Sequence, residues 1–355
     1  MGRRVKPDVD FPTLVRLALP HLQKAELVDP RTGPGDKPKI PDWLIAGMIM
    51  VAVLRKKKSK SAQYRFLRER RDDLVEWFGN RRFPSRATYF RRYRRAHRLY
   101  QTAIRLQGEC AIAEGLADAT QVAVDKSLIA GHGPLWHRQD REIGEVPAGV
   151  DTDTTWGYSE HDGWVQGYSY EVVVTATPGS LVFPLLASAD TASTSETKSF
   201  TLKIDDLPTS TQTVSADSGY DANQLGERIE YDEQGKRTGR RYLCPENPRN
   251  NQRTKTKPCA ADKARAQSRA RRADRKRFLK SPRGKRIYAR RKKTVEPFNH
   301  WLKRLFELET RVWHRGTDNN RTQLLAAVFC YQLLVRFNHR FGNENGCVCW
   351  ILDAL

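Results

Sequence analysis

Apolar positions recur at helical spacing through the first third of the chain and then give way to β-branched runs, so one change of period divides the sequence. Phe11 to Leu27 carries the helical period. Asp42 is placed to cap a second helix that runs through Leu54 into Lys56, Lys57 and Lys58, cations suited to a helix C-terminus where carbonyls point outward. Ser61 to Phe78 reads as a third helix with Tyr64, Leu67, Leu74 and Phe78 as its buried stripe, stopped by Gly79-Asn80. Ser85 is a natural cap for a fourth, on which aromatic residues 89, 90 and 93 alternate with Arg91, Arg92, Arg94 and Arg95. Helix, turn and basic helix make residues 61–106 a candidate helix-turn-helix with those arginines toward DNA. A helical bundle with a solvated basic face accounts for the same pattern.

From Leu116 the texture is strand-like. Ala119 to Leu128 packs β-branched residues just before Asp125, as a buried strand delivering one acid would. Trp164 to Thr177 and Leu181 to Ala187 read as a hairpin turned by Pro178-Gly179. Residues 193–206 suit a helix, Thr211 to Asp217 a fourth strand that also ends on an aspartate, and 221–230 a further helix. Strand ends in a mixed sheet are where functional groups converge. Read singly, Asp125 is also a salt-bridge partner for Lys126, and Asp217 a helix cap beside Gly219.

Charge narrows the partners. Lys and Arg number 63 against 41 Asp and Glu, a formal +22, and such an excess calls for a polyanion, nucleic acid first. The cations concentrate in residues 236–293, where like charges repel until phosphates neutralise them. The longest apolar run, Trp43 to Leu54, has 12 residues, too few for a bilayer, which takes roughly 20. With no apolar core behind the basic start, the expectation is an intracellular protein, cytoplasmic and associated with the nucleoid, with no membrane partner. Six cysteines show no C-x2-C pair, so they point neither to a zinc site nor, in a reducing compartment, to disulfides.

One carboxylate, Glu296, sits alone among cations in RRKKTVEPFNHWLKR. Thr294 is a candidate cap that would put Pro297 in the first turn; a helix beginning further upstream would instead be kinked there. Val295, Phe298, Leu302 and Leu305 face a core, while Glu296, Asn299, His300 and Lys303 share another face. An amphipathic helix with an exposed polar face explains that helix alone. Three carboxylates on two strands and a helix are, however, what two divalent ions with oxygen ligands require.

These residues carry a resemblance. VAVDKS around Asp125, SADSGYD around Asp217 and RRKKTVEPFNHWLKR around Glu296 make the chain similar, over roughly 118–340, to DDE transposases of prokaryotic insertion sequences, in the retroviral-integrase superfamily. The resemblance implies an α/β, ribonuclease-H-like mixed sheet flanked by helices, with an N-terminal all-α DNA-binding domain over 1–117, a catalytic domain over 118–340 and a tail over 341–355. It implies that Asp125, Asp217 and Glu296 are the catalytic and metal-ligating residues for two Mg2+ ions, with Mn2+ able to substitute. The activity implied is end binding, cleavage and joining of the 3′-hydroxyl to target, by a homodimer on double-stranded DNA. Lys303 falls where the family's phosphate-holding lysine belongs; upstream, Lys292 stands at the arginine position and Tyr288 is one residue early, Ala289 taking its place. Arg291, Asn299 and His300 complete the expected DNA contacts. Trp156 and Trp164 are placed to stack on a base near a DNA end or, the favoured reading, to pack in the core. Rival functions are a nuclease of the same fold without strand transfer and a DNA-binding protein without catalysis.

Overall fold

The computed structural model describes residues 11–30, 40–79, 82–248, 263–341 and 348–354. Six helices come first: α1 (Phe11–Val28), α2 (Asp42–Leu54), α3 (Lys60–Glu69), α4 (Arg71–Phe78), α5 (Arg86–Tyr93) and α6 (Ala96–Ala113). α2 is apolar all round and buried from Leu44 to Leu54, as its twelve-residue run requires. Asp42 lies in its first turn and is not its cap; Pro41 holds that place. The helix expected over 61–78 divides at Arg70, and Ser85 caps α5, its hydroxyl accepting from Thr88 N at 3.2 Å.

Six strands follow, with a short helix α7 (Arg138–Glu142) after the first: β1 (Gln121–Ala130), β2 (Thr155–Ser159), β3 (Gly163–Thr175), β4 (Pro184–Thr191), β5 (Thr213–Ser215) and β6 (Arg241–Leu243). β1 pairs antiparallel with β3, and β3 antiparallel with β2 and β4; β5 and β6 continue from β1 in parallel. The resulting order, β3-β1-β5-β6 with β4 and β2 on β3, is the mixed ribonuclease-H-like sheet. Helices α8 (Glu196–Thr201) and α9 (Asn223–Glu230) link β4 to β5 and β5 to β6.

The C-terminal third is helical: α10 (Lys263–Lys280), α11 (Pro282–Leu305), α12 (Thr317–Arg340) and α13 (Val348–Ala354). α10 and α11 part at Ser281, whose hydroxyl accepts from Gly284 N at 3.1 Å with Pro282 in the first turn, where a missing N–H costs nothing. Thr294 is therefore interior, its hydroxyl bonded back to the carbonyls of Arg290 and Arg291, and Pro297 lies inside the helix. Asn320 is likewise interior to α12, which is buried from Thr322 to Asn338.

That burial ties the N-terminal helices to the sheet. α12 packs against α1, α2, α6 and β4, and residues from Phe11 to Leu352 contribute to one apolar core. The change at residue 117 is thus a change of secondary structure, not a gap in packing. Part of the basic segment (249–262) and most of the tail linker (342–347) lie outside the described residues. Among those described, no helix is long and apolar enough to cross a membrane.

Candidate active site

β1 delivers Asp125 at the point where α11 crosses it, and β5 ends two residues before Asp217. Arg291, on α11, donates through Nη2 to Asp125 Oδ1 and, at 3.3 Å, to Asp217 Oδ2. One guanidinium therefore bridges acids that are far apart in sequence. Asn299 Nδ2 donates to the other oxygen, Asp125 Oδ2, at 2.8 Å, and Tyr170 Oη on β3 donates to Asn299 Oδ1 at 3.0 Å. With both oxygens engaged, the Asp125 carboxylate has a fixed orientation. Asp217 is held by the N–H of Gly219 at 2.9 Å on Oδ1, and its carbonyl accepts from Cys244 Sγ at 2.9 Å.

The two aspartates differ in access, with side chains 14% exposed for Asp125 and 39% for Asp217. Burial pushes Asp125 up to about 6, against the pull of Arg291 and with the repulsion of Asp217 and Glu296 added. Glu296 thus lies close enough to act on Asp125, yet it is exposed and makes no hydrogen bond or ion pair among the described residues. A further acid joins them: Glu196, the first residue of α8, is pushed up to about 7 by burial and by Asp217. A Cβ on Gly219 would stand 1.7 Å from Glu196 Oε2 and 3.1 Å from Asp217 Oδ1, so no larger residue fits there without moving the carboxylate.

The remaining expected residues separate into three groups. Arg291, not Lys292, points into the site; Lys292 faces solvent, and so does Ala289. Tyr288 is half-buried and electrostatically within reach of Asp217 and Asp125. Lys303 Nζ donates to Leu128 O at 2.9 Å and is drawn toward Asp162 and Asp125, with burial lowering its pKa. His300 is exposed, as is Lys292 on the same helix. In the N-terminal helices Arg91, Arg94 and Arg95 are exposed, but Arg92 is buried, paired with Asp42 and donating to Ile40 O. Its guanidinium is thus turned into the fold toward α2 instead of toward solvent. Trp164 is exposed against Tyr158, while Trp156 is half-buried with Nε1 donating to Trp136 O at 3.3 Å.

Asn299 was expected on DNA, and the structure commits its amide to Asp125 and Tyr170. Tyr170 and Glu196 were not singled out from the sequence, whereas Gly219 was named there as the neighbour of a capping Asp217, the cap that the structure shows. A tyrosine inside SYEVVV or a glutamate at a helix start looks ordinary until the fold sets it beside an acid.

The donor set suits a hard cation. Asp125 and Asp217 offer only oxygens, their charges already converge on one cationic group, and burial raises the cost of leaving them unpaired. Among the described residues, no three His, Cys, Asp or Glu side chains already stand in a metal-ligating arrangement. Arg291 occupies the space between the strand acids, and Glu296 is exposed on α11.

A mixed sheet of this order, with one acid in the middle of β1, another two residues past the end of β5 and a helix covering them, defines a ribonuclease-H-like protein. The family described as Transposase DDE domain matches residues 116–333, and the chain belongs to it. No curated protein and no solved structure matches the chain. Membership makes it a transposase acting in DNA recombination, in a family that generally uses divalent metal ions.

Proposed function

We propose that the chain binds the terminal inverted repeats of an insertion sequence, nicks the ends by hydrolysis and joins each freed 3′-hydroxyl to target DNA. Asp125, Asp217 and Glu296 are its catalytic acids. The observation that carries this reading is the convergence of Asp125 and Asp217 on Arg291, beneath the helix that presents Glu296. Held by those three acids, two Mg2+ ions, or Mn2+ in their place, would polarise the phosphodiester and activate the attacking oxygen.

The chain's own residues do the rest. Arg291 offsets the repulsion between Asp125 and Asp217, and together with Asn299 it stops Asp125 from rotating. Lys303 spends one of its three protons on Leu128 O, leaving two for a phosphate oxygen beside the site. Lys285, Lys292, Lys293, His300 and Arg304 form an exposed stripe along α11 on either side of Glu296, a track for a backbone passing over it. Arg91, Arg94 and Arg95 would add contacts from the N-terminal helices, in which α3 and α5 touch as the members of the candidate helix-turn-helix. In the first step water attacks phosphorus and the P–O3′ bond breaks. In the second the new 3′-hydroxyl attacks a target phosphorus, and a target 3′-oxygen leaves with the proton. Joining two ends calls for at least a dimer on DNA.

A labelled end fragment incubated with supercoiled plasmid and Mg2+ tests this. Joined products support it; cleavage without joining leaves a nuclease, and binding alone leaves a DNA-binding protein without catalysis.

A further inference from the structure

β3 carries none of the three acids, yet two of its neighbouring residues reach toward both strand aspartates from opposite faces of the sheet. Successive strand residues point to opposite sides. Tyr170 points toward α11, where its hydroxyl holds Asn299 and Asn299 holds Asp125. Glu171 points the other way and is buried, its side chain 2% exposed. Its Oε2 accepts from Tyr220 Oη at 2.9 Å, and its Oε1 accepts from Lys203 Nζ at 2.6 Å and from Ser199 Oγ at 3.1 Å. Tyr220 belongs to the turn that follows Asp217, its carbonyl tied to Tyr242 Oη at 2.9 Å.

We propose that Tyr170 and Glu171 are a positioning pair: β3 sets the spacing of the two strand acids, Tyr170 orienting Asp125 through Asn299 and Glu171 orienting the Asp217 turn through Tyr220. This rests on the transposase reading only in naming those acids as the metal ligands. A glutamate buried in a valine-rich strand is costly unless every oxygen is engaged, and here both are. An apolar residue of similar volume would pack there without that cost, but it would leave the Tyr220 hydroxyl, and hence the 217–221 turn, without its tether to β3. The third acid has no such link: Glu296 is exposed on α11.

The test uses changes that remove a hydroxyl and keep the ring, Tyr170→Phe and Tyr220→Phe, with Glu171→Gln as a harsher third. Mn2+ affinity of the full chain is measured by calorimetry, and thermal unfolding without metal is recorded alongside. Partners that orient ligands from behind are worth ten- to a hundredfold in metal affinity, so each Tyr→Phe change should weaken Mn2+ binding by about tenfold while the metal-free protein stays folded. A role confined to packing would lower the melting temperature and leave Mn2+ affinity unchanged, which overturns the proposal. DNA joining by the wild type is read separately. If it joins ends but neither tyrosine change alters Mn2+ affinity, the positioning pair fails and the transposase reading stands. If it joins nothing but both changes weaken Mn2+ binding, the reverse holds.

Discussion

The strand side and the helix side of the site are built on opposite plans. Asp125 and Asp217 are tied down by Arg291, Asn299 and the Gly219 N–H before any substrate arrives. Glu296 and the cations flanking it on α11 stand in solvent. The difference teaches that the fold fixes two acids through internal partners and leaves Glu296 and its neighbouring cations in solvent. A group tied internally resists displacement, whereas an exposed one is free to follow a DNA backbone.

The most severe way to break the comparison is to remove an acid. Asp217→Ala or Asp125→Asn should lower cleavage and joining by at least about a thousandfold, the several kcal/mol a metal clamp supplies, with end binding by gel shift retained. Strand transfer surviving in Asp217→Ala would remove that residue from the catalytic set.

Next comes the bridge. Arg291→Ala leaves Asp125 and Asp217 facing each other without their guanidinium, and removing one partner of a buried pair costs about 3 kcal/mol. Denaturant unfolding without metal should show a loss of that order, and Mg2+ should stabilise the variant more than the wild type. Lys292→Ala, on exposed surface, should leave stability unchanged.

A smaller effect is the response to pH. Asp125 is raised from its ordinary value to about 6, so between about pH 4 and 6 the folded chain keeps a proton that the unfolded chain has released. Stability from this group is full below that window and declines as pH rises through it, by on the order of 3 kcal/mol. Metal binding runs the other way, since it needs the carboxylate: cleavage should rise as pH climbs through about 6. Asp125→Asn should flatten the stability profile there, and an unchanged profile would show that another acid titrates.

The smallest effects sharpen the helix side. Single changes Lys292→Ala, Lys293→Ala or Arg304→Ala should weaken binding of any DNA alike and each reduce the salt dependence by about one counterion. A similar result for Arg92→Ala would be unexpected, because Arg92 is spent on Asp42.

Much of the catalytic half was legible because its signals are local. Val122 to Val124 before Asp125, the strand ending near Asp217 and the stripe of Val295, Phe298, Leu302 and Leu305 each rest on a period that a single element obeys. What was missed depends on length or on neighbours. β2 and β6, five and three residues long, are too short to show a period, and the start of α11 at Pro282 makes Thr294 interior. Arg291 and Lys292 are adjacent cations whose difference is only which way α11 turns them.

By itself the sequence determined the alternation of elements and the call for a polyanionic partner, because hydrophobic period and net charge are properties of a string. Only the tertiary structure decided that one core runs from α1 to α13, that Arg92 turns into the fold toward α2, and that Tyr170 and Glu171 reach toward the two aspartates from opposite faces. Those facts come from packing between residues far apart in the chain, and burial and orientation at such contacts leave no local trace.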